Sequence, residues 1–218
     1  MGRLCTERHN QGARAFLRAY QLGNHGCHLT IANVGNDRPT RGQTPIRHEQ
    51  TVPSWILPCS CSNRQTHPCS CPARLCPDFL ICHGLPAVPS ASGRVPNPSI
   101  YIQIVEFCFS LEAGDPVSLN AALLRKRTKY IPLLQALLQR GWGIYGMTGS
   151  ILPDITVLTV GTCCAIPCAT LDALSHECGI PESAAAGLAA KWVSIATNSA
   201  TSLLATHARL SRESATTA

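Results

Sequence analysis

The strings Cys76-Pro77-Asp78-Phe79-Leu80-Ile81 and Ile104-Val105-Glu106-Phe107-Cys108-Phe109 decide how this chain folds. Each is rich in β-branched or aromatic residues, which is typical of a strand, and each carries a single carboxylate. Burying a carboxylate is costly unless it is paired or holds a cation, and two close carboxylates repel each other. We therefore expect Asp78 and Glu106 to lie on two strands and to share a positive partner.

Further strands and helices are predicted on both sides of these two strings. Strands are predicted at 28–34, 79–82, 100–109 and 155–160, and helices at 7–22, 116–140, 170–178 and 182–210. The segments 35–54, 58–77 and 83–99, which are polar or rich in proline, are predicted to be long loops. This order predicts an α/β fold, a mixed sheet flanked by helices with a helical C-terminal tail. Residues 1–180 are expected to form the domain and residues 181–218 the tail.

The composition predicts a folded intracellular protein. Apolar residues make up 45% of the 218 residues, which is enough for a core and excludes a disordered chain. The formal charge of +6 suits a phosphate-rich partner. No apolar leader begins the chain, and no apolar run reaches the length of a membrane span, so we expect no membrane. Thirteen cysteines, an odd number, favour reduced thiols over a closed disulfide framework.

Eight short motifs, taken in order, resemble those of a known family. They are Arg8-His9-Asn10, Val52-Pro53-Ser54-Trp55, Cys76-Pro77-Asp78, Val105-Glu106, Lys126-Arg127-Thr128-Lys129-Tyr130, Pro132-Leu133, Gly141-Trp142 and Val160-Gly161. The series resembles the C-terminal restriction-endonuclease-like, or PD-(D/E)XK, region of reverse transcriptase proteins from non-LTR retroelements. The resemblance covers roughly residues 8–180, and the order of the motifs is more specific than any one of them.

The resemblance implies an endonuclease that nicks target DNA with Mg²⁺ so that reverse transcription can be primed. Asp78 and Glu106 would hold the metal and act in catalysis, and Lys129 would stabilise the developing negative charge. Contacts with nucleic acid would come from Arg8, His9, Arg125, Lys126, Arg127 and Tyr130. The implied partner is DNA, or the RNA of a retroelement, with no small-molecule cofactor, and the implied location is the nucleus.

The chain departs from the family pattern at one important position. Cys108 stands where the lysine of the Asp/Glu-x-Lys triplet is expected, so that lysine would have to come from the following helix, as Lys129 or Lys126. Tyr130 is expected to point elsewhere and either to pack or to contact a backbone phosphate. The alternative is a non-catalytic nucleic-acid-binding or interaction module, in which Asp78 caps a strand and Glu106 and Lys129 are solvated charges.

A Cys/His-rich segment at 59–76 raises the question of zinc. Thiolates and imidazole are the usual zinc ligands. The paired cysteines here, such as Cys59 and Cys61, have one residue between them, whereas zinc sites favour two or more. We therefore interpret this segment as a loop without tightly bound zinc.

Overall fold

The computed structural model describes residues 2–23, 28–32, 46–48, 52–59, 71–84, 100–110, 116–145 and 154–216. Within these ranges the helices are α1 (Gly2–Gly23), α2 (Pro116–Gln139), α3 (Cys168–Asp172) and α4 (Glu182–Thr216), and the strands are β1 (His28–Ala32), β2 (Ile46–His48), β3 (Phe79–His83), β4 (Tyr101–Ser110), β5 (Gly143–Ile144) and β6 (Thr156–Gly161). A short 3₁₀ helix spans Pro72–Arg74, and a π-helical turn spans Ala173–Glu177.

The strands form one mixed sheet. Their order is β2-β1-β3-β4-β5, and β6 also pairs with β4. The pairs β1–β3 and β3–β4 are antiparallel, whereas β1–β2 and β4–β5 are parallel. The predicted α/β class, a mixed sheet flanked by helices, is therefore confirmed, and the four predicted strands all join this sheet.

Two strands were missed by the sequence analysis, and one predicted helix differs in form. β2 lies inside the segment 35–54 that was predicted to be loop, and β5 has only two residues, Gly143 and Ile144. Strands this short have no measurable period, so only their pairing partners define them. The helix predicted at 170–178 begins at Cys168 and continues as the π-helical turn. Of the three predicted loops, residues 60–70 and 85–99 lie outside the described residues.

Glycines end helices where the sequence predicted. Gly141 follows α2 with a φ of 87°, and Gly179 follows the π-helical turn with a φ of 63°. Only glycine adopts this left-handed conformation without strain, which is why it commonly terminates helices.

Contacts divide the chain into two compact units. The first comprises Met1–Gly23, Phe107–Ala122 and Leu158–Ala218, and the second comprises Asn24–Glu106 and Leu123–Val157. Both α1 and α4 therefore belong to the first unit. The predicted division of the chain at residue 180 stays a prediction.

The core of the first unit joins α1 and α4 to the end of β4. The face of α1 predicted to be apolar is buried: Ala13, Phe16, Leu17 and Tyr20. The indole Nε1 of Trp192 donates a hydrogen bond to the Gly12 carbonyl (2.9 Å), and its ring lies 5.0 Å from that of Phe107. Gly12 has no room for a side chain, because a Cβ there would lie 2.3 Å from the Phe107 ring.

The core of the second unit lies between its strands and α2. Tyr130, Leu133, Leu134 and Leu137 are buried on one side of that helix. Trp142, just after α2, is buried and donates its indole N–H to the Ile56 carbonyl at 2.8 Å. Residues 102–108 of β4 are all buried. Any acid in this stretch must therefore find partners inside the protein.

No helix among the described residues is both long enough and apolar enough to span a membrane.

Candidate functional site: an acidic pair beside helix α2

Asp78 and Glu106 come together in the second unit because β3 and β4 pair in one particular register. Phe79 lies opposite Val105, so extending the antiparallel register by one residue sets Asp78 opposite Glu106. The Asp78 backbone N–H donates to Glu106 Oε1 at 3.1 Å. The exposed fractions are 8% for Asp78 and 1% for Glu106. The two residues therefore lie side by side, and neither is exposed to solvent.

The lysine beside Glu106 is Lys126 rather than Lys129. Lys126 Nζ lies 2.5 Å from Glu106 Oε2 and forms a salt bridge with it. Lys129 Nζ instead donates to the Tyr130 hydroxyl (2.7 Å) and lies over the Tyr130 ring, so it is linked to Glu106 through that hydroxyl. Residues four apart share a helix face. Lys126 and Tyr130 therefore both contact Glu106 directly, whereas Lys129 contacts Tyr130.

Tyr130 belongs to the site, contrary to the expectation that it points elsewhere. Its side chain is fully buried, and its hydroxyl hydrogen-bonds Glu106 Oε1. The same hydroxyl lies 2.8 Å from the Cys76 carbonyl oxygen. A hydroxyl has one proton to donate, so the two acceptors share it, while the Lys129 ammonium donates to the hydroxyl oxygen. In this arrangement the Tyr130 hydroxyl is not exposed to a phosphate.

Burial and like charge dominate the electrostatics of the site. Burial raises the pKa of Glu106, and the nearby negative charge of Asp78 raises this pKa further. The Lys126 ammonium and the hydrogen bonds from Lys126 and Tyr130 act in the opposite direction. Burial, followed by the charge of Glu106, raises the pKa of Tyr130 far above its ordinary value. The tyrosine therefore stays protonated and acts as a hydrogen-bond donor.

Cys76 does not have the properties of a nucleophile at this site. Burial is the largest cause of its raised thiol pKa, and the positive charges of Lys129 and Arg74 offset this effect only in part. Its thiol donates to the Arg74 carbonyl at 3.4 Å. A neutral thiol is a poor nucleophile. The contribution of Cys76 to the site is therefore its backbone carbonyl.

The donor chemistry fits a divalent cation. Mg²⁺ is usually held by one or two carboxylates together with water and substrate phosphate, and Asp78 and Glu106 supply two carboxylates. The Lys126 ammonium already provides a positive charge at Glu106 Oε2. No group of three or more His, Cys, Asp or Glu side chains with the geometry to hold a metal occurs in the described part of the chain. A cation here would thus depend on the two acids and on water.

The two basic residues predicted on α1 lie in the first unit. The Arg8 guanidinium lies over the Phe109 ring, 4.9 Å from its centroid. His9 Nε2 is 2.9 Å from the Phe107 carbonyl oxygen. Both side chains thus support the packing of α1 on β4. Their predicted contact with nucleic acid stays a prediction.

The basic run on α2 is partly neutralised. Arg125 is exposed, whereas Arg127 Nε forms an ion pair with Asp154 Oδ2 at 2.9 Å. Arg125 is therefore the better candidate of the two for a phosphate contact.

A series of hydrogen-bonded polar side chains around Gln103 of β4 was not identified from the sequence. Gln103 is 3% exposed and donates its amide to Thr156 Oγ1 at 3.1 Å. Its carbonyl oxygen lies 2.9 Å from His83 Nε2, and the His83 ring stacks on that of Tyr145. A glutamine between two isoleucines in a predicted strand is the signal that could have revealed it, because a buried amide needs partners.

Comparisons of this chain with protein-family models, with curated proteins and with solved structures found no match. The resemblance to the retroelement endonuclease-like region stays a hypothesis that rests on the motifs and on the geometry described above.

Proposed function

We propose that this chain is a restriction-endonuclease-like domain of the PD-(D/E)XK type that nicks DNA with the help of Mg²⁺. The observation that supports the proposal is the convergence of three residues with charged side chains from separate parts of the chain. Asp78 precedes β3, Glu106 lies within β4, and Lys126 reaches Glu106 from α2. The helix thereby compensates for Cys108, which stands where the lysine of the triplet is expected.

In the proposed mechanism each residue has a distinct task. Asp78 and Glu106 would hold Mg²⁺, which when bound polarises the scissile phosphate and lowers the pKa of an attacking water. Tyr130 fixes the orientation of the Glu106 carboxylate through Oε1. Lys126 supplies a positive charge close to the acids, where negative charge develops on the phosphate. Arg125 contacts the DNA backbone and provides affinity without sequence preference.

The resemblance extends the proposal to the origin and setting of the domain. The ancestral task would be to nick target DNA within a retroelement protein, in the nucleus, so that DNA or the element's RNA is the partner. The formal charge of +6 agrees with a polyanionic partner.

A plasmid-nicking assay tests the proposal. The wild-type chain with Mg²⁺ should convert supercoiled plasmid to the open circular form. Asp78→Asn and Glu106→Gln should each abolish nicking while leaving DNA binding largely intact, because these groups hold the metal rather than the phosphate. Lys126→Met should slow nicking more than Lys129→Met, because Lys126 forms a salt bridge with Glu106, whereas Lys129 donates to Tyr130. Wild-type protein that binds DNA but never nicks it with any divalent ion would reject the enzymatic function.

One observation favours a second candidate, a non-catalytic nucleic-acid-binding module on the same scaffold. Both Glu106 oxygens already accept protein donors, Oε1 from Asp78 and Tyr130 and Oε2 from Lys126. Such a network can serve only to satisfy a buried acid. In that case Glu106→Gln would change the stability of the protein and leave its DNA affinity unaltered. Neither the wild type nor any variant would nick the plasmid.

A further inference from the structure

The two oxygens of Glu106 are held differently. Oε1 accepts from the Asp78 backbone N–H and from the buried Tyr130 hydroxyl. Oε2 accepts from Lys126, whose side chain is 22% exposed. The partners of Oε1 are fixed by the β3–β4 register and by the core, whereas the partner of Oε2 is the end of a long side chain that reaches solvent. A ligand exchange at this carboxylate would therefore occur at Oε2.

A metal ion at Oε2 would compete with Lys126 for this oxygen. Mg²⁺ binds a carboxylate oxygen at about 2.1 Å. Lys126 Nζ lies 2.5 Å from the same oxygen, so a metal ion bound there would repel a second positive charge at short range. Because Glu106 is 1% exposed, solvent would screen this repulsion poorly.

We propose that Lys126 and a divalent cation bind Glu106 Oε2 in mutually exclusive states. Without metal, Lys126 neutralises Glu106 and occupies the position beside Oε2. When the metal binds, the ammonium leaves Oε2 and turns towards solvent, where a substrate phosphate would lie. Lys129 takes no part in this exchange, because its ammonium donates to the Tyr130 hydroxyl. This inference rests on the proposed function, since it assumes that Asp78 and Glu106 bind a divalent cation.

Chemical labelling of the unmodified chain tests the exchange directly. Lysines are acetylated with and without Mn²⁺, and the modified peptides are quantified by mass spectrometry. We expect Mn²⁺ to increase acetylation of Lys126 several-fold and to leave Lys129, three residues away on the same helix, unchanged. Equal acetylation of Lys126 with and without bound Mn²⁺ would overturn the proposal.

Metal affinity provides a second, independent measurement. Mn²⁺ binding is followed by electron paramagnetic resonance at one fixed pH for all variants. Lys126→Met, which removes the competing ammonium, should bind Mn²⁺ at least about tenfold more tightly than the wild type. Lys126→Arg keeps the charge and should stay near the wild type, as should the control Lys191→Met, at an exposed lysine of α4. Circular dichroism confirms that each variant is folded.

The outcomes separate this inference from the proposed function. If the wild type nicks DNA and Lys126→Met binds Mn²⁺ no more tightly, only the exclusion between Lys126 and metal is rejected. If no folded variant binds Mn²⁺, and Glu106→Gln behaves like the wild type, both the inference and the metal-dependent function are rejected.

Discussion

At the residue scale, Glu106 shows how a buried carboxylate is stabilised inside a strand. It accepts hydrogen bonds from a backbone amide, a tyrosine and a lysine, so hydrogen bonding and one ion pair offset the cost of burial. Such networks are worth most when every member is satisfied. Removing one donor should therefore affect both the stability of the fold and the position of the acid.

Tyr130→Phe should lower the free energy of unfolding by about 1–3 kcal/mol, because it removes a buried hydroxyl and leaves Glu106 with one donor fewer. Chemical denaturation measures the effect. The matched control is Tyr101→Phe, at a side chain that is 47% exposed, which should change stability by less than about 0.5 kcal/mol. Equal effects of the two substitutions would show that the Tyr130 hydroxyl contributes nothing.

The pH dependence of stability should reveal the raised pKa of Glu106. Its pKa in the folded protein lies above 4.5, the ordinary value, so between these two values the folded state binds more protons than the unfolded state. The contribution of Glu106 to stability therefore decreases as the pH rises through this window. Glu106→Gln has no such proton, so the stability of the wild type relative to Glu106→Gln should fall from acidic towards neutral pH. A constant difference would contradict the raised pKa.

At the element scale, two helical glycines have opposite surroundings. Gly12 in α1 faces the buried Phe107 ring, whereas a Cβ at Gly187 in α4 would meet no atom within 4 Å. Glycine in a helix interior is intrinsically unfavourable by about 1 kcal/mol relative to alanine. The same substitution should thus act in opposite directions at these two positions.

Gly187→Ala should raise the free energy of unfolding by about 0.5–1 kcal/mol through helix propensity alone. Gly12→Ala should lower it by about 1–3 kcal/mol, because Phe107 is fully buried and cannot move aside without disturbing the core. Thermal unfolding of the two variants beside the wild type provides the measurement. A stabilising Gly12→Ala would show that α1 does not pack on β4 as described.

At the scale of the whole molecule, the proposed DNA binding should weaken as the salt concentration rises, because the excess positive charge would contact phosphates. Arg125→Gln should weaken binding to all sequences alike and reduce the slope of log affinity against log salt by about 1. Arg127→Gln should have a smaller effect, because Asp154 already neutralises this guanidinium. Asp154→Asn should raise DNA affinity by releasing Arg127. Fluorescence anisotropy at several salt concentrations compares these variants, and identical slopes would exclude the α2 basic run as a phosphate contact.

The sequence by itself determined the class of the fold and the identity of the acids. Apolar, β-branched runs predicted β3 and β4 to within a residue or two, because the period of a strand is local information. The same runs singled out Asp78 and Glu106, since a lone charge in an apolar strand needs a partner. Glycines predicted the ends of helices because a left-handed conformation is a property of one residue.

Only the tertiary structure decided which groups meet the acids. The β3–β4 register, which sets Asp78 beside Glu106, depends on pairing across a long connection. Whether Lys126 or Lys129 reaches Glu106 depends on the rotation of α2 about its axis, and the burial of Tyr130 follows from the same rotation. Helix rotation is set by packing of the whole face, in which Leu133 and Leu137 also take part, and no local motif encodes it.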